Sequence, residues 1–166
     1  DAVQVAAAAP PPAGLQGGGF ESPAVGGGSF RYDPAGTAWT YSGLAGVAAN
    51  GSGFTARNAA APEGAQVAFL QSTGSLAQTF NLAAGTYAVT FQAAQRVNYQ
   101  SSAQTFRVLV DGAAVGTFTP AGAAYGSYAT AAISLAAGTH TLTFEGLNPN
   151  GGDNTAFLDQ VQLGVV

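Results

Sequence analysis

A jelly-roll β-sandwich of two antiparallel sheets is the fold class predicted by this 166-residue sequence. Two observations predict it. Apolar and polar residues alternate with period two in one short segment after another, the pattern of strands with one face on a core. Glycine (24 residues), serine and threonine punctuate these segments, and none shows a helical pattern.

The segments follow in order. Less regular strands are expected at residues 38–42, 65–71 and 75–82. "TYAVTF" sets Tyr87, Val89 and Phe91 against Ala88 and Thr90. "TFRVLV" puts Phe106, Val108 and Val110 on one side and runs into Asp111-Gly112, a strong hairpin signal. Further strands are expected at 115–119 and 127–135. "HTLTF" alternates His140, Leu142 and Phe144 against Thr141 and Thr143. The last strand sets Phe157, Asp159, Val161 and Leu163 against Leu158, Gln160 and Gln162. "LAAGTYAVTF" at Leu82–Phe91 is echoed by "LAAGTHTLTF" at Leu135–Phe144. With no third copy, the echo reads as one hairpin used twice, once in each sheet.

Residues 1–17, "DAVQVAAAAPPPAGLQG", read as a linker, and residues 18–166 as one sandwich domain. A linker of this composition implies an appended domain in a larger parent protein. The opening lacks the basic region of a signal peptide.

Composition narrows the function. Charged residues are 7% of the chain and hydrophobic ones 47%, yet no apolar run is long enough to span a bilayer, so membrane insertion is not expected. The net charge is −4 with four basic residues, all arginine, which offers no basic face for nucleic acid. Cysteine is absent, so there is no disulfide framework or thiol nucleophile.

Catalytic signals are weak. The single histidine, His140, has core parity and reads as a satisfied core residue more readily than as a base. Asp33, Glu63 and Asp111 fall in turn-like segments. Glu145 has outward parity, with Arg107 or Arg96 as a natural neighbouring-strand partner. No G-x-S-x-G elbow is present. A non-enzyme is expected.

Two candidate sites remain. Asp159 has the parity of core residues, where an ionised carboxylate is costly unless paired, hydrogen-bonded or metal-bound. A Ca²⁺ ion shared with Glu21 of "GGGFESP" would resolve that cost. So would capping of backbone N–H groups near a sheet end. The second site is aromatic and amide-rich. Trp39 and Tyr41 share a strand face in "TAWTYSG". "QAAQRVNYQ" supplies Gln92, Arg96, Asn98 and Tyr99, and "NGGDNT" supplies Asp153 and Asn154. Rings beside amides and an arginine are suited to sugars: the ring covers the apolar face and polar groups take the hydroxyls. Trp39 and Tyr41 also read as core residues.

The segments "GGGFESP", "GTYAVTFQA", "VLVDG" and "NTAFLDQVQL" together resemble the galactose-binding-like β-sandwich domains. These include carbohydrate-binding modules of secreted glycosidases and domains of bacterial cell-surface proteins. The resemblance runs from Gly18 to Leu163, with Gly18 where the family often has Asn. It implies a structural calcium ion held by Glu21 and Asp159, and a sugar contact at Asn154. The expected function is a non-catalytic module of a secreted or cell-surface protein that binds polysaccharide or cell-surface glycan. The alternative is a structural or adhesive extracellular domain with no sugar site.

Overall fold

The computed structural model describes residue 3 and residues 13–166. Its strands are β1 (Phe30–Tyr32), β2 (Thr40–Ser42), β3 (Ala45–Ala49), β4 (Gln66–Gln71), β5 (Ser75–Leu82), β6 (Gly85–Gln95), β7 (Phe106–Val110), β8 (Ala113–Phe118), β9 (Gly126–Ala129), β10 (Ile133–Leu135), β11 (Gly138–Gly146) and β12 (Thr155–Val165). Seven form one sheet in the order β1-β3-β4-β12-β6-β10, with β9 also paired to β6; five form the other in the order β2-β5-β11-β7-β8. Every strand pair is antiparallel. The molecule is a two-sheet β-sandwich, the predicted class.

The inward residues of both sheets form the main core, including Phe20, Trp39, Phe80, Phe91, Phe106 and Phe144. The Phe91 ring meets Phe144 edge-on at 5.4 Å and Phe118 at 5.0 Å. Burying one such side chain is worth roughly 1.5–3 kcal/mol. The Asp111-Gly112 turn joins β7 to β8 with φ of 52° and 80°, the two positive angles that a type I′ hairpin turn requires.

The repeated "LAAGT" segments are crossovers and not hairpins. Leu82–Gly85 leads from β5 in the five-stranded sheet to β6 in the seven-stranded one, and Leu135–Gly138 leads back to β11. Each crossover meets the other: Leu82 pairs with Gly138, and Leu135 with Gly85. The expected strand at 127–135 divides into β9 and β10. Between them the Thr130 hydroxyl accepts the Val89 N–H at 3.0 Å, standing in for a ladder carbonyl.

A second apolar cluster lies on the outer face of the seven-stranded sheet: Ala48, Phe54, Val67, Phe69 and Phe157, with Ala61 and Tyr125 against it. It covers the second face of β3, all five residues of which are buried. A strand buried on both faces shows no alternation, which is why β3 is invisible to period-two reading.

This cluster also relocates Asp159. Ala156 and Leu158 point into the main core, whereas Phe157 belongs to the outer cluster. The ladder to β6 then slips by one residue between Asp159 and Gln162, and Gln160 takes a φ of 49°. This β-bulge reverses parity, so Val161 and Leu163 return to the main core. Asp159 therefore shares a face with Phe157 only. It is buried outside the sandwich core, beneath the segment before β4.

The domain begins before residue 18. Gly14 donates to the Asn81 carbonyl at 2.8 Å, Gln16 exchanges two bonds with the Gln78 side chain, and Leu15 packs on the core. Residues 13–17 are thus part of the fold. The rest of the expected linker, apart from residue 3, lies outside the described residues.

On the outer face of the five-stranded sheet, Arg107 Nε donates to Glu145 Oε2 at 2.8 Å. His140 is buried, as its parity predicts, with Nδ1 2.6 Å from Asp111 Oδ2 and Nε2 2.6 Å from the Ala136 carbonyl. Two acceptors on one imidazole favour its protonated form. The Asp111 hydrogen bond, with help from the Ala136 carbonyl, raises the His140 pKa above its ordinary 6.5. Burial alone would raise the Asp111 pKa, but the bonds from His140 and the Thr141 N–H hold it below 3.8.

The histidine's contribution to stability is full below pH 6.5 and is lost as pH rises through its folded pKa. The aspartate's is present above 3.8 and is lost as pH falls. The pair is expected to stabilise most between about pH 4 and 6.5. Thermal melts at pH 5.5 and 8.5 check this. Asp111→Asn, which suits the turn, removes the wild-type drop at the higher pH.

Candidate functional site

At one end of the seven-stranded sheet β1, β4 and β6 finish and β12 begins. The register lines up Tyr32, Gly46, Phe69, Phe157 and Ala94 in one outward-facing row. A side chain at Gly46 would collide first with the Arg31 carbonyl on β1 and then with the Phe69 ring, its Cβ lying 2.8 Å from Cζ. Glycine there leaves room for Tyr32 to meet Phe69 edge-on at 5.2 Å. Phe54, from the loop after β3, stacks on Phe69 at 4.2 Å. Arg96, just beyond β6, lays its guanidinium over Phe54 at 4.2 Å, and the Tyr99 ring lies 5.4 Å away. The result is a layered stack of Phe69, Phe54, Arg96 and Tyr99.

Phe54, Arg96 and Tyr99 line a cleft of about 280 Å³ with Phe30, Tyr32, Gln71 and Asp153, and Phe69 lies buried beneath it. Its rim is aromatic and exposed: Tyr99 is 70% exposed, Phe30 45% and Tyr32 37%. The polar groups form a chain in which the Tyr32 hydroxyl donates to Gln71 Oε1 and Gln71 Nε2 donates to Asp153 Oδ1 at 2.9 Å. Burial raises the Tyr32 pKa, and the charge of Asp153 adds to the rise.

Arg96 is only 6% exposed. Its Nε donates to Asn98 Oδ1 at 3.0 Å and Nη2 to the Gly53 carbonyl at 3.3 Å, while Nη1 is enclosed without a partner. The ion pairs among the described residues are Arg107–Glu145 and His140–Asp111, so Arg96 has no carboxylate in contact. Burial lowers its pKa, and the field of Asp153 opposes that. A buried guanidinium with an unused donor is costly unless something accepts from it.

The loops are held in place. Asp153 N–H donates to the Tyr99 carbonyl at 3.0 Å. Tyr99 itself has a φ of 61°, a strained angle for a bulky residue, and projects its ring outward. Asn98 Nδ2 donates to the Gly53 carbonyl at 2.9 Å.

Of the residues singled out in the sequence, Arg96, Asn98, Tyr99 and Asp153 are brought together. The others are not. Trp39 is 2% exposed, donates from Nε1 to the Gly17 carbonyl at 2.9 Å and packs on Phe20 and Phe144. Tyr41 is also in the core, its hydroxyl enclosed without a partner. Neither presents a ring to a ligand, because the face they share is the inner one. Asn154 is buried: its Oδ1 accepts from Ser101 and Ser102 N–H at 2.8 and 2.9 Å, and its Nδ2 donates to Ser102 Oγ. It pins the loop behind Tyr99 and has no capacity left for a sugar. Gln92 lies elsewhere on the sheet, donating to Ser127 Oγ at 2.6 Å. The sequence reading did not place Phe30, Phe54 and Gln71 in a site. "SFRYD", with Phe30 and Tyr32 two apart beside glycine-rich segments, carried the one local signal for the rim.

Glu21 and Asp159 both reach the turn before β4. Glu21 accepts from the N–H groups of Ala65 and Gln66 at 3.0–3.1 Å. Asp159, fully buried, accepts from Glu63 N–H and Gln160 N–H, each at 2.8 Å. Burial pushes the Asp159 pKa up to about 7; the two N–H bonds oppose this, and Glu63 and Glu21 add to it. The oxygen-only donors suit a hard cation in type. Among the described residues, no three acidic or histidine side chains form a ready cluster, so a shell here would draw on backbone carbonyls.

No protein-family model matches the sequence, and no curated protein matches it. Solved structures do. One is a family 61 carbohydrate-binding module in complex with β-1,4-galactotriose: 18% identity over 92% of this chain and 97% of that one, TM-score 0.63. Another is a Stig cyclase from Fischerella sp. TAU in complex with a pyrrolidinylidene-indole: 19% identity, 95% and 97% coverage, TM-score 0.61. A third is a family 35 carbohydrate-binding module from Clostridium thermocellum: 16% identity, 77% and 92% coverage, TM-score 0.54. What these structures share with this chain is the fold, a two-sheet β-sandwich. One such fold carries sugar binding in one protein and cyclisation in another, so function here rests on the site.

Proposed function

We propose that this chain is a non-catalytic carbohydrate-binding module that holds a polysaccharide or cell-surface glycan in the Arg96–Tyr99 cleft. The observation that carries the reading is Arg96 itself. Its guanidinium lies between the Phe54 and Tyr99 rings with Nη1 unpaired, at the base of a cleft rimmed by exposed aromatics. In this arrangement a pyranose ring lies on Tyr99 or Tyr32, its hydroxyls take Gln71 and Asp153, and the Arg96 guanidinium backs the Tyr99 ring. Binding without chemistry is favoured because Asp153, the one carboxylate among the described residues that line the cleft, is held by Gln71.

The reading extends to a secreted or cell-surface parent in which the module anchors an appended catalytic or surface domain. Such tethering strengthens a weak single site. It includes a structural Ca²⁺ near Glu21 and Asp159, supported by the oxygen-only donors.

Native electrophoresis through gels loaded with β-1,4-galactan and a panel of other polysaccharides tests the function. Retardation is expected in at least one gel. Tyr99→Ala, which removes an exposed ring, weakens it by roughly tenfold or more. A folded protein that runs freely in every gel overturns the reading.

The exposed rim of Phe30, Tyr32 and Tyr99 also supports the second reading, a structural or adhesive domain without a sugar site. Concentration-dependent assembly in light scattering, with no retardation in any gel, selects it.

A further inference from the structure

Gln92 lines a different cleft, of about 410 Å³, on the outer face of the seven-stranded sheet. Thr90 and Gln92 of β6, Ser127 and Tyr128 of β9, and Gln160 and Gln162 of β12 form its walls. Its volume falls in the range of small-ligand sites. Gln92 and Arg96 are four residues apart, roughly 13 Å at about 3.3 Å per residue, so the two clefts are separate.

The bulge in β12 creates this lining. With regular alternation Gln160 and Gln162 would follow Leu158 into the main core. The extra residue at Gln160 instead sends Val161 inward and leaves both glutamines exposed. Gln160 holds a strained positive φ, and its backbone N–H is bonded to Asp159. The opposite wall is fixed. Behind it, on the inner face of the sheet, the Tyr128 ring stacks on Phe91 at 5.8 Å, and its hydroxyl accepts the Ala121 N–H at 3.0 Å. Gln92 Nε2 donates to Ser127 Oγ, which leaves Gln92 Oε1 to accept and the Ser127 hydroxyl to donate.

Among the described residues, no charged side chain lines the cleft. A primary amide offers a donor and an acceptor side by side, the complement of a sugar's neighbouring hydroxyls. An anionic ligand would find no cation here, and an apolar one would strand the amides. We propose that this cleft is a second saccharide subsite that takes a neutral, hydroxyl-rich stretch of glycan. It shares a ligand class with the Arg96 cleft but none of its residues.

The test is an NMR titration of the isotope-labelled protein with β-1,4-galactotriose, xylotriose and cellotriose, following the side-chain amides of Gln92, Gln160 and Gln162. At least one sugar is expected to shift them saturably, in the wild type and in Tyr99→Ala alike. Gln162→Ala is expected to weaken that binding about tenfold. Absence of saturable shifts with all three sugars overturns the proposal. So does their disappearance in Tyr99→Ala, which would make the cleft an echo of the first site. Failure of the Arg96 reading looks different: the glutamine amides move while the Tyr99 and Arg96 signals stay in place.

Discussion

Asp159→Ala is expected to lower stability by about 3 kcal/mol, the cost of stranding two buried N–H groups that were bonded to a carboxylate. The midpoint of thermal unfolding should fall by roughly 6–12 °C at this chain length. The Glu63 N–H ties the turn before β4 to the last strand, and the Gln160 N–H closes the bulge. Losing both loosens the cover of the outer cluster. Asp159→Asn retains one acceptor and is expected to lose less. Urea unfolding of the three proteins measures the series, and an alanine variant as stable as wild type would refute the capping role. The same melts with a chelator test the ion. If Ca²⁺ binds here, chelation lowers the wild-type midpoint and leaves Asp159→Ala unchanged, because only a ligand of the native state shifts the transition. Coincident wild-type curves remove the calcium and leave the N–H capping intact.

Arg96→Ala is expected to weaken glycan binding by about a hundredfold or more, the scale for a well-packed arginine hot spot. It deletes the one unused buried donor in the cleft and the layer between Phe54 and Tyr99. Arg96→Lys separates these roles from mere charge. Lysine keeps the charge, but it cannot lie flat against two rings or bond Asn98 and Gly53 through a planar fork. It is expected to bind nearly as poorly as alanine. Calorimetry with the polysaccharide that retards the wild type provides the measure. Wild-type affinity in the lysine variant would show that the stacked geometry is irrelevant.

Much of the architecture is legible locally. β6, β7 and β11 alternate as read, and Asp111-Gly112 is the turn its residues specify. Part of the site is legible for the same reason: Arg96, Asn98 and Tyr99 are chain neighbours, and Asp153 stands just before the closing strand. The failures also have causes. Trp39 and Tyr41 alternate correctly, but alternation does not say which face is the inner one. Asn154 is polar and in a loop, and three of its four bonds join it to the loop behind Tyr99, about fifty positions away, the fourth going to Gly151.

The sequence by itself determined an all-β sandwich poor in charge, with one arginine set among amides and a tyrosine. It did so because strand periodicity and turn chemistry are local properties of the chain. Only the tertiary structure decided which face each strand turned inward and what the arginine met. The outer cluster set Asp159 on Phe157's face, and the bulge at Gln160 returned Val161 to the core and opened the glutamine-lined cleft. A ladder through β1, β3, β4, β12 and β6 carried Tyr32, Phe54 and Gln71 to Arg96 from distant segments. Neither event leaves a mark on local periodicity, because both depend on long-range pairing register.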